Sequence, residues 1–199
     1  MWLLGTLMVI ATLWTAAADA GQVSISTHTR TYRVSGDTIQ AVVKSMKRNG
    51  PNSELHGRRA LGMADYRFRT RVKTTKRNGR CHVEDASVTM RISYILPRLS
   101  KPERLPRSHF NRWRQIHSMI ERHEHQHGRY YRQFANELHR ALRSMRPQSS
   151  CSAMKSQERK IRDRLEKISI RRNRNYDRGQ YRPFNRRLKL LAPKRRQRR

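Results

Sequence analysis

Residues 113–138 read WRQIHSMIERHEHQHGRYYRQFANEL, and apolar side chains recur in this stretch every three or four positions. That spacing is typical of one face of an α-helix. Ser108 precedes the pattern and Pro147 follows it, so the sequence predicts one long helix from Ser108 to about Met145. The predicted stripe consists of Trp113, Ile116, Ile120, His123, His127, Tyr130, Phe134, Leu138, Leu142 and Met145.

Two strand patterns precede this helix. Residues 66–74 alternate uncharged side chains with Arg or Lys, and residues 88–94 alternate apolar side chains with Thr, Arg and Ser. A period of two indicates strands with one buried face. Because Asn78-Gly79 is a strong turn signal between them, we predict an antiparallel hairpin whose outer face is basic.

Weaker patterns complete the predicted architecture. One or two strands fit residues 23–34, a helix begins at about Asp37 and ends at Asn49, and a last helix fits residues 152–172. The expected fold class is α+β, with a small antiparallel sheet packed against the long helix and one or two further helices. We expect a single domain of this kind over residues 21–183.

The first twenty residues are typical of a secretory signal peptide. Residues 2–14 are almost entirely apolar, and Ala18-Asp19-Ala20 places small residues where a signal peptidase cleaves. An apolar run of this length is short for a spanning helix, which takes about 20 residues. We therefore expect a periplasmic or secreted protein with no transmembrane span in the mature chain. An uncleaved N-terminal anchor is the alternative, since no Lys or Arg precedes the run.

Cys81 and Cys151 both lie in the expected mature chain. In an oxidising compartment, an even number of cysteines indicates disulfide pairing, so one Cys81–Cys151 bond is predicted. Two buried free thiols are the alternative.

The chain is strongly basic, with 46 Lys and Arg against 14 Asp and Glu and a formal charge of +32. Such a charge concerns solubility and partners rather than fold. Acidic cell-envelope polymers or an anionic lipid surface would be suitable partners. The signal sequence and the lack of a recognisable nucleic-acid-binding motif argue against nucleic acid as a partner. Arginines at solvent positions without any partner are the other explanation. Residues 184–199, which end in a run of Arg and Lys, predict a basic, disordered tail.

The segment His123-Glu124-His125-Gln126-His127 forms an H-E-x-x-H motif. Residues four apart lie on the same face of a helix, so the first and last histidines can bind one metal ion. Glu124 can then act as general base toward a water on that metal. Because both histidines fall inside the apolar stripe, they need a ligand or a hydrogen-bond partner. The motif predicts one Zn²⁺ per chain, and a pair of hydrogen-bonded core histidines is the alternative.

The chain resembles domain-of-unknown-function family 922, bacterial proteins described as predicted secreted zinc-dependent proteases. The resemblance covers most of the mature chain, and its specific features are the H-E-x-x-H motif and Tyr176-Asp177. The family's late segment is similar to Tyr-Asp-x-x-Thr-x-His-Gly, and its His is a candidate third zinc ligand. Here Arg182 stands in place of that His, and a guanidinium cannot bind a metal cation.

The resemblance therefore implies a changed third ligand. His139 is excluded because it lies about 18 Å along the same helix from the motif. Asp177 could serve as an oxygen ligand, with Glu158 and Glu166 as weaker candidates. Tyr176 would hydrogen-bond a developing oxyanion, or else pack its ring under a loop.

Three functions are compatible with these observations. The first is an exported zinc metalloprotease with a zincin-like α+β domain, hydrolysing a peptide or protein substrate with Glu124 as the base. The second is a catalytically degenerate relative that keeps zinc and binds acidic polymers through its basic surface. The third, a nucleic-acid-binding protein, conflicts with the predicted signal peptide.

Overall fold

The computed structural model describes residues 22–53 and 58–193. Within these ranges the elements are β1 (Val23–Val34), α1 (Ile39–Asn49), β2 (Asn52–Ser53), β3 (Arg58–Arg59), β4 (Met63–Arg77), β5 (Arg80–Leu99), α2 (Arg107–Arg143) and α3 (Cys151–Leu191). A short 3-10 helix at Pro102–Arg104 precedes α2. The predicted α+β class is confirmed. The predicted signal peptide and residues 194–199 of the predicted tail lie outside the described ranges.

The central sheet has three strands, with β5 between β1 and β4. β4 and β5 form the predicted antiparallel hairpin, in which Asn78 and Gly79 adopt φ angles of 50° and 71°. Positive φ at both positions is what a two-residue type I′ turn requires. β1 runs parallel to β5, so the sheet is mixed, where the sequence predicted only antiparallel pairing. Alternation identifies a strand, but it does not reveal the direction of the neighbouring strand.

Helix α2 packs along the inner face of this sheet. Met90 and Ile92 of β5 are fully buried, whereas Arg91 between them is exposed. An antiparallel hairpin with one solvated face has this alternation. The buried apolar residues of α2 are Trp113, Ile116, Ile120, Tyr131, Phe134, Ala135, Leu138 and Leu142.

A glycine allows α2 to approach β5 closely. A Cβ added at Gly128 would lie 1.8 Å from the hydroxyl oxygen of Tyr94, so a larger residue cannot occupy this position without movement. Nearby, Tyr131 lies in the core, and Tyr130 of the predicted stripe is half-buried with its ring 5.8 Å from that of Tyr176. Because α2 contacts both the sheet and α3, its buried face is wider than the predicted stripe.

The disulfide fixes the start of α3. Cys81 and Cys151 are bonded, with Cα atoms 5.2 Å apart, which confirms the predicted bond and excludes the alternative of free thiols. Reciprocal backbone hydrogen bonds of 2.9 and 3.0 Å join Cys81 to Gln148. From this anchor, α3 runs back along α2.

Helix α3 extends further than the sequence predicted. The expected helix ended at Arg172, but α3 continues through Pro183 to Leu191. Leu188 is 6% exposed, and Leu191 is also buried. Residues 184–191 are therefore packed helix, and the prediction of a disordered tail was wrong for them. Leu188, Leu190 and Leu191 follow a mostly polar stretch that contains Pro183, and this gives too weak a periodic signal to extend a helix by sequence alone.

No helix in the described part of the chain is both long and apolar enough to cross a membrane.

Candidate metal centre

Three side chains from two helices converge between α2 and α3. His123 and His127 lie one helical turn apart on α2, and Asp177 faces them from α3. The two Nε2 atoms are 3.3 Å apart. Oδ1 of Asp177 lies 3.1 Å from Nε2 of His123 and 2.9 Å from Nε2 of His127. This group could hold a metal ion.

The spacing of the three atoms fits a tetrahedral site. Zinc binds imidazole nitrogen and carboxylate oxygen at about 2.0–2.2 Å, which places tetrahedral ligand atoms about 3.3–3.5 Å apart. The observed 2.9–3.3 Å is within a few tenths of an ångström of that range. Two imidazoles and a carboxylate suit a divalent transition metal. Three protein ligands also leave a fourth position open, as catalytic sites require.

A buried amide orients His127. Nδ1 of His127 lies 2.6 Å from Oδ1 of Asn173, which is 7% exposed. Nδ2 of Asn173 donates to the carbonyl oxygen of Ser169 at 2.9 Å. Because this second bond directs the amide oxygen toward the ring, Nδ1 carries the proton. Nε2 of His127 then faces His123 and Asp177, where it can offer its lone pair to a metal ion or, when the ring is protonated, donate a hydrogen bond to the carboxylate.

The negative charge of Asp177 and a positive charge at the two histidines stabilise each other. Burial alone would raise the pKa of Asp177, but hydrogen bonds from His123 and His127 outweigh it and hold that pKa below its ordinary value. Burial lowers the pKa of His127, yet contacts with Asp177 and Asn173 leave it raised overall. The carboxylate therefore stays ionised, and a positive charge, either a proton or a metal ion, is favoured among the three atoms.

Glu124 lies on the sheet side of the motif. It is 6% exposed, and burial raises its pKa to about 7, although nearby His123 and His127 favour its ionised form. The backbone N–H of Ala64 donates to its carboxyl group. A Cβ added at Gly62 would lie 2.9 Å from Oε1 of Glu124. The carboxyl group is thus held beneath the start of β4 and can be charged or neutral near pH 7.

Two tyrosines hold the chain segment that covers Glu124. The hydroxyl of Tyr32 donates to the carbonyl oxygen of Leu61 at 2.7 Å. The hydroxyl of Tyr131 donates to the carbonyl oxygen of Ala64 at 3.1 Å. Residues 61–64 are therefore fixed from β1 and from α2, which fixes the donor to Glu124 as well.

Aromatic rings enclose the imidazoles. The ring of Tyr176 stacks on His123 at a centroid distance of 5.0 Å and meets His127 edge-on at 5.3 Å. Phe184 meets His123 at 5.7 Å. The side chains of His123 and Asp177 keep 19% and 22% of their surface exposed, so the group is reachable from solvent. Tyr176 thus packs against the candidate ligands, and its role as an oxyanion stabiliser stays a prediction.

The other residues considered as ligands lie elsewhere. Arg182 is exposed on α3. Glu158 accepts a hydrogen bond from the hydroxyl of Thr70 at 2.8 Å. Glu166 accepts one from the hydroxyl of Tyr66 at 3.2 Å. Both carboxylates are therefore bound to β4, and Asp177 is the candidate that the structure brings to the two histidines.

Sequence reasoning missed Asn173 and Phe184. The available signal was spacing, because Asn173 precedes Asp177 by four residues and Phe184 follows it by seven, which places all three on one helical face. That signal had no use until α3 was known to extend beyond residue 172.

The fold and the site define an α+β protein with a His-His-Asp group on an H-E-x-x-H helix. The chain belongs to the family described as bacterial protein of unknown function (DUF922), whose model matches residues 29–181. The match includes the His-His-Asp group and the disulfide, and it confirms the family but neither protease activity nor secretion. No curated protein and no solved structure matches the chain. A function must therefore be argued from the site.

Proposed function

We propose that this protein is an exported zinc-dependent metallopeptidase. The observation that carries the proposal is the convergence of His123, His127 and Asp177, with ligand atoms no more than 3.3 Å apart, beside the buried Glu124. The predicted signal peptide supports export, and so does a disulfide, which persists in oxidising compartments.

The chemistry divides between the metal and Glu124. Zinc bound by the three side chains would lower the pKa of a water in the fourth position and polarise a substrate carbonyl. Glu124 would accept the proton as that water attacks, and would then donate it to the leaving amine. A pKa of about 7 suits both steps, because the carboxyl group must exchange between its two forms near neutral pH.

Two neighbouring residues would assist in different ways. Asn173 would keep the lone pair of His127 directed at the metal, through the contact of 2.6 Å. Tyr176, whose ring lies against both imidazoles, would donate a hydrogen bond to the developing oxyanion. The substrate class is a peptide or a protein.

A second candidate function is a catalytically inactive relative that keeps zinc for stability and binds acidic envelope polymers. The burial of the site favours it. Glu124 is only 6% exposed, and Tyr176 and Phe184 cover one side of His123. A structural metal needs such coverage, whereas a substrate needs access to the metal.

Zinc content and peptide hydrolysis, measured on matched variants, test the proposal. The wild type and Glu124→Gln should each retain one zinc per chain, because Glu124 is not a ligand. His127→Ala should lose the metal. His139→Ala is the matched control and should leave zinc unaffected, because His139 lies on the same helix as the motif but its imidazole contacts the carbonyl oxygen of Ala86 in β5, at 3.1 Å.

Hydrolysis separates the two candidate functions. A peptidase should cleave members of a mixed peptide library, stop when a chelator is added, and lose turnover in Glu124→Gln with its zinc in place. Zinc bound equally by the wild type and Glu124→Gln, with no cleavage by either, would support the inactive relative. A folded wild type that takes up no zinc would overturn both.

A further inference from the structure

The face of the sheet that points away from α2 is strongly basic. Arg67 of β4 lies directly opposite Arg91 of β5, and Arg69 lies opposite Thr89. Residues paired in this way point to the same side of a sheet, and all four are exposed. We call this surface the outer sheet face, and it comprises Ser24 and Ser26 of β1, Thr89 and Arg91 of β5, and Arg67, Arg69 and Arg71 of β4.

The four arginines of this face, Arg67, Arg69, Arg71 and Arg91, are close together on neighbouring strands. Alternate residues of one strand lie about 6.8 Å apart, and directly opposite residues have Cβ atoms about 5 Å apart, where like charges are unfavourable. Within the described ranges none of the four forms an ion pair. Asp65 and Asp85 lie only toward the two ends of the row. An anionic partner would relieve this repulsion.

The shape and chemistry of the face favour a flat anionic surface. Its other members are the hydroxyl side chains of Ser24, Ser26 and Thr89, which can donate hydrogen bonds to phosphate oxygens. Single-stranded nucleic acid binds in grooves that offer aromatic rings to its bases. The aromatic residues of β4 point the other way, since Phe68 packs on Phe134 at 5.1 Å.

We propose that the outer sheet face docks on a bilayer that carries anionic phospholipid headgroups. Guanidinium groups would contact the phosphates, and the hydroxyl groups between them would add hydrogen bonds. Since α2 packs on the opposite face of the sheet, this orientation directs the His-His-Asp group away from the bilayer. Docking is independent of the proposed peptidase activity.

Vesicle sedimentation tests the role of this face. The purified protein should bind phosphatidylcholine vesicles that contain phosphatidylglycerol much more strongly than pure phosphatidylcholine vesicles, and salt should weaken the difference. Each basic residue near an anionic surface strengthens partitioning roughly fivefold, so Arg67→Gln, Arg69→Gln and Arg71→Gln combined should weaken it roughly 100-fold. Lysine at the same three positions should preserve most of the binding, because the charge is retained.

A matched control separates this face from the charge of the whole chain. Arg171, Arg174 and Arg186 are exposed on α3, so changing them to Gln removes the same three charges from another surface. This variant should lose only a few-fold in binding. Pure phosphatidylcholine vesicles report any binding that does not depend on anionic headgroups.

Three outcomes would overturn the proposal. The first is an equal loss of binding in the control variant and in the triple Gln variant of Arg67, Arg69 and Arg71, which would mean that no face is selected. The second is wild-type binding by that triple variant, once its melting temperature has verified that it is folded. The third is a wild type that ignores anionic vesicles yet binds a single-stranded oligonucleotide through the same three arginines, which would assign the face to a different partner.

Discussion

Replacing Asn173 with Ala should weaken zinc binding by about 10- to 100-fold, the usual effect of removing the partner that orients a metal-binding imidazole. Its Oδ1 is the acceptor 2.6 Å from Nδ1 of His127, in a buried environment. Without it, the imidazole can rotate or carry its proton on Nε2, the atom that faces Asp177. The expected loss corresponds to about 1.4–2.7 kcal/mol, at 1.36 kcal/mol for each factor of ten.

The affinity can be measured at pH 7 by competition with a chromophoric chelator. Asn185→Ala is a close control. Like Asn173, Asn185 lies on α3 and donates to the carbonyl oxygen four residues earlier, which is that of Tyr181 at 2.8 Å. Asn173→Asp keeps an oxygen acceptor and should retain most of the affinity. An unchanged affinity in Asn173→Ala, or an equal loss in Asn185→Ala, would refute the assigned role of the amide.

Stability should respond to three other changes. Replacing Cys81 and Cys151 with Ser should lower the free energy of unfolding by up to about 4 kcal/mol, since the bond spans 70 residues, and an unchanged urea midpoint would contradict this. Gly128→Ala should lower the free energy of unfolding by about 1–3 kcal/mol, because the added methyl group would meet the hydroxyl of Tyr94. Tyr94→Phe should lower the free energy of unfolding less in that background than alone, and additive losses in unfolding experiments would argue against the contact. Zinc at about 100 times its Kd should stabilise the wild type by about 2.7 kcal/mol, or roughly 5–10 °C in Tm, and an equal shift in His127→Ala would place the metal elsewhere.

The fold was predictable where apolar spacing is strong and local. The long helix was predicted from Ser108 to about Met145 and is observed at Arg107–Arg143, and the β4–β5 hairpin follows from its alternation and its Asn-Gly turn. The parallel pairing of β1 depends on residues more than sixty positions away, which periodicity does not report. The second half of α3 was missed because its apolar residues are few, and only packing shows that Leu188 is buried.

The candidate site was likewise predictable only where its residues lie close together in the sequence. The spacing of His123 and His127 places both imidazoles on one face of any helix that contains them. Their meeting with Asp177 depends on where α3 begins and how far it runs beside α2. The disulfide fixes its start, and that bond was predicted from cysteine number and compartment rather than from geometry. Asp177 was predicted as the third ligand from the family resemblance, and only the fold shows that it lies beside the two histidines.

The presence of Arg182 in place of the family's His leaves the His-His-Asp group intact. In a helix each residue turns about 100°, so position 182 lies about 140° around α3 from Asp177, and Arg182 is exposed. Asn173, Asp177 and Phe184 share the face that meets α2. A His at position 182 of this helix would point away from His123. The substitution therefore removes no ligand from the site as this chain folds it, and the question of activity moves from metal binding to proton transfer by Glu124.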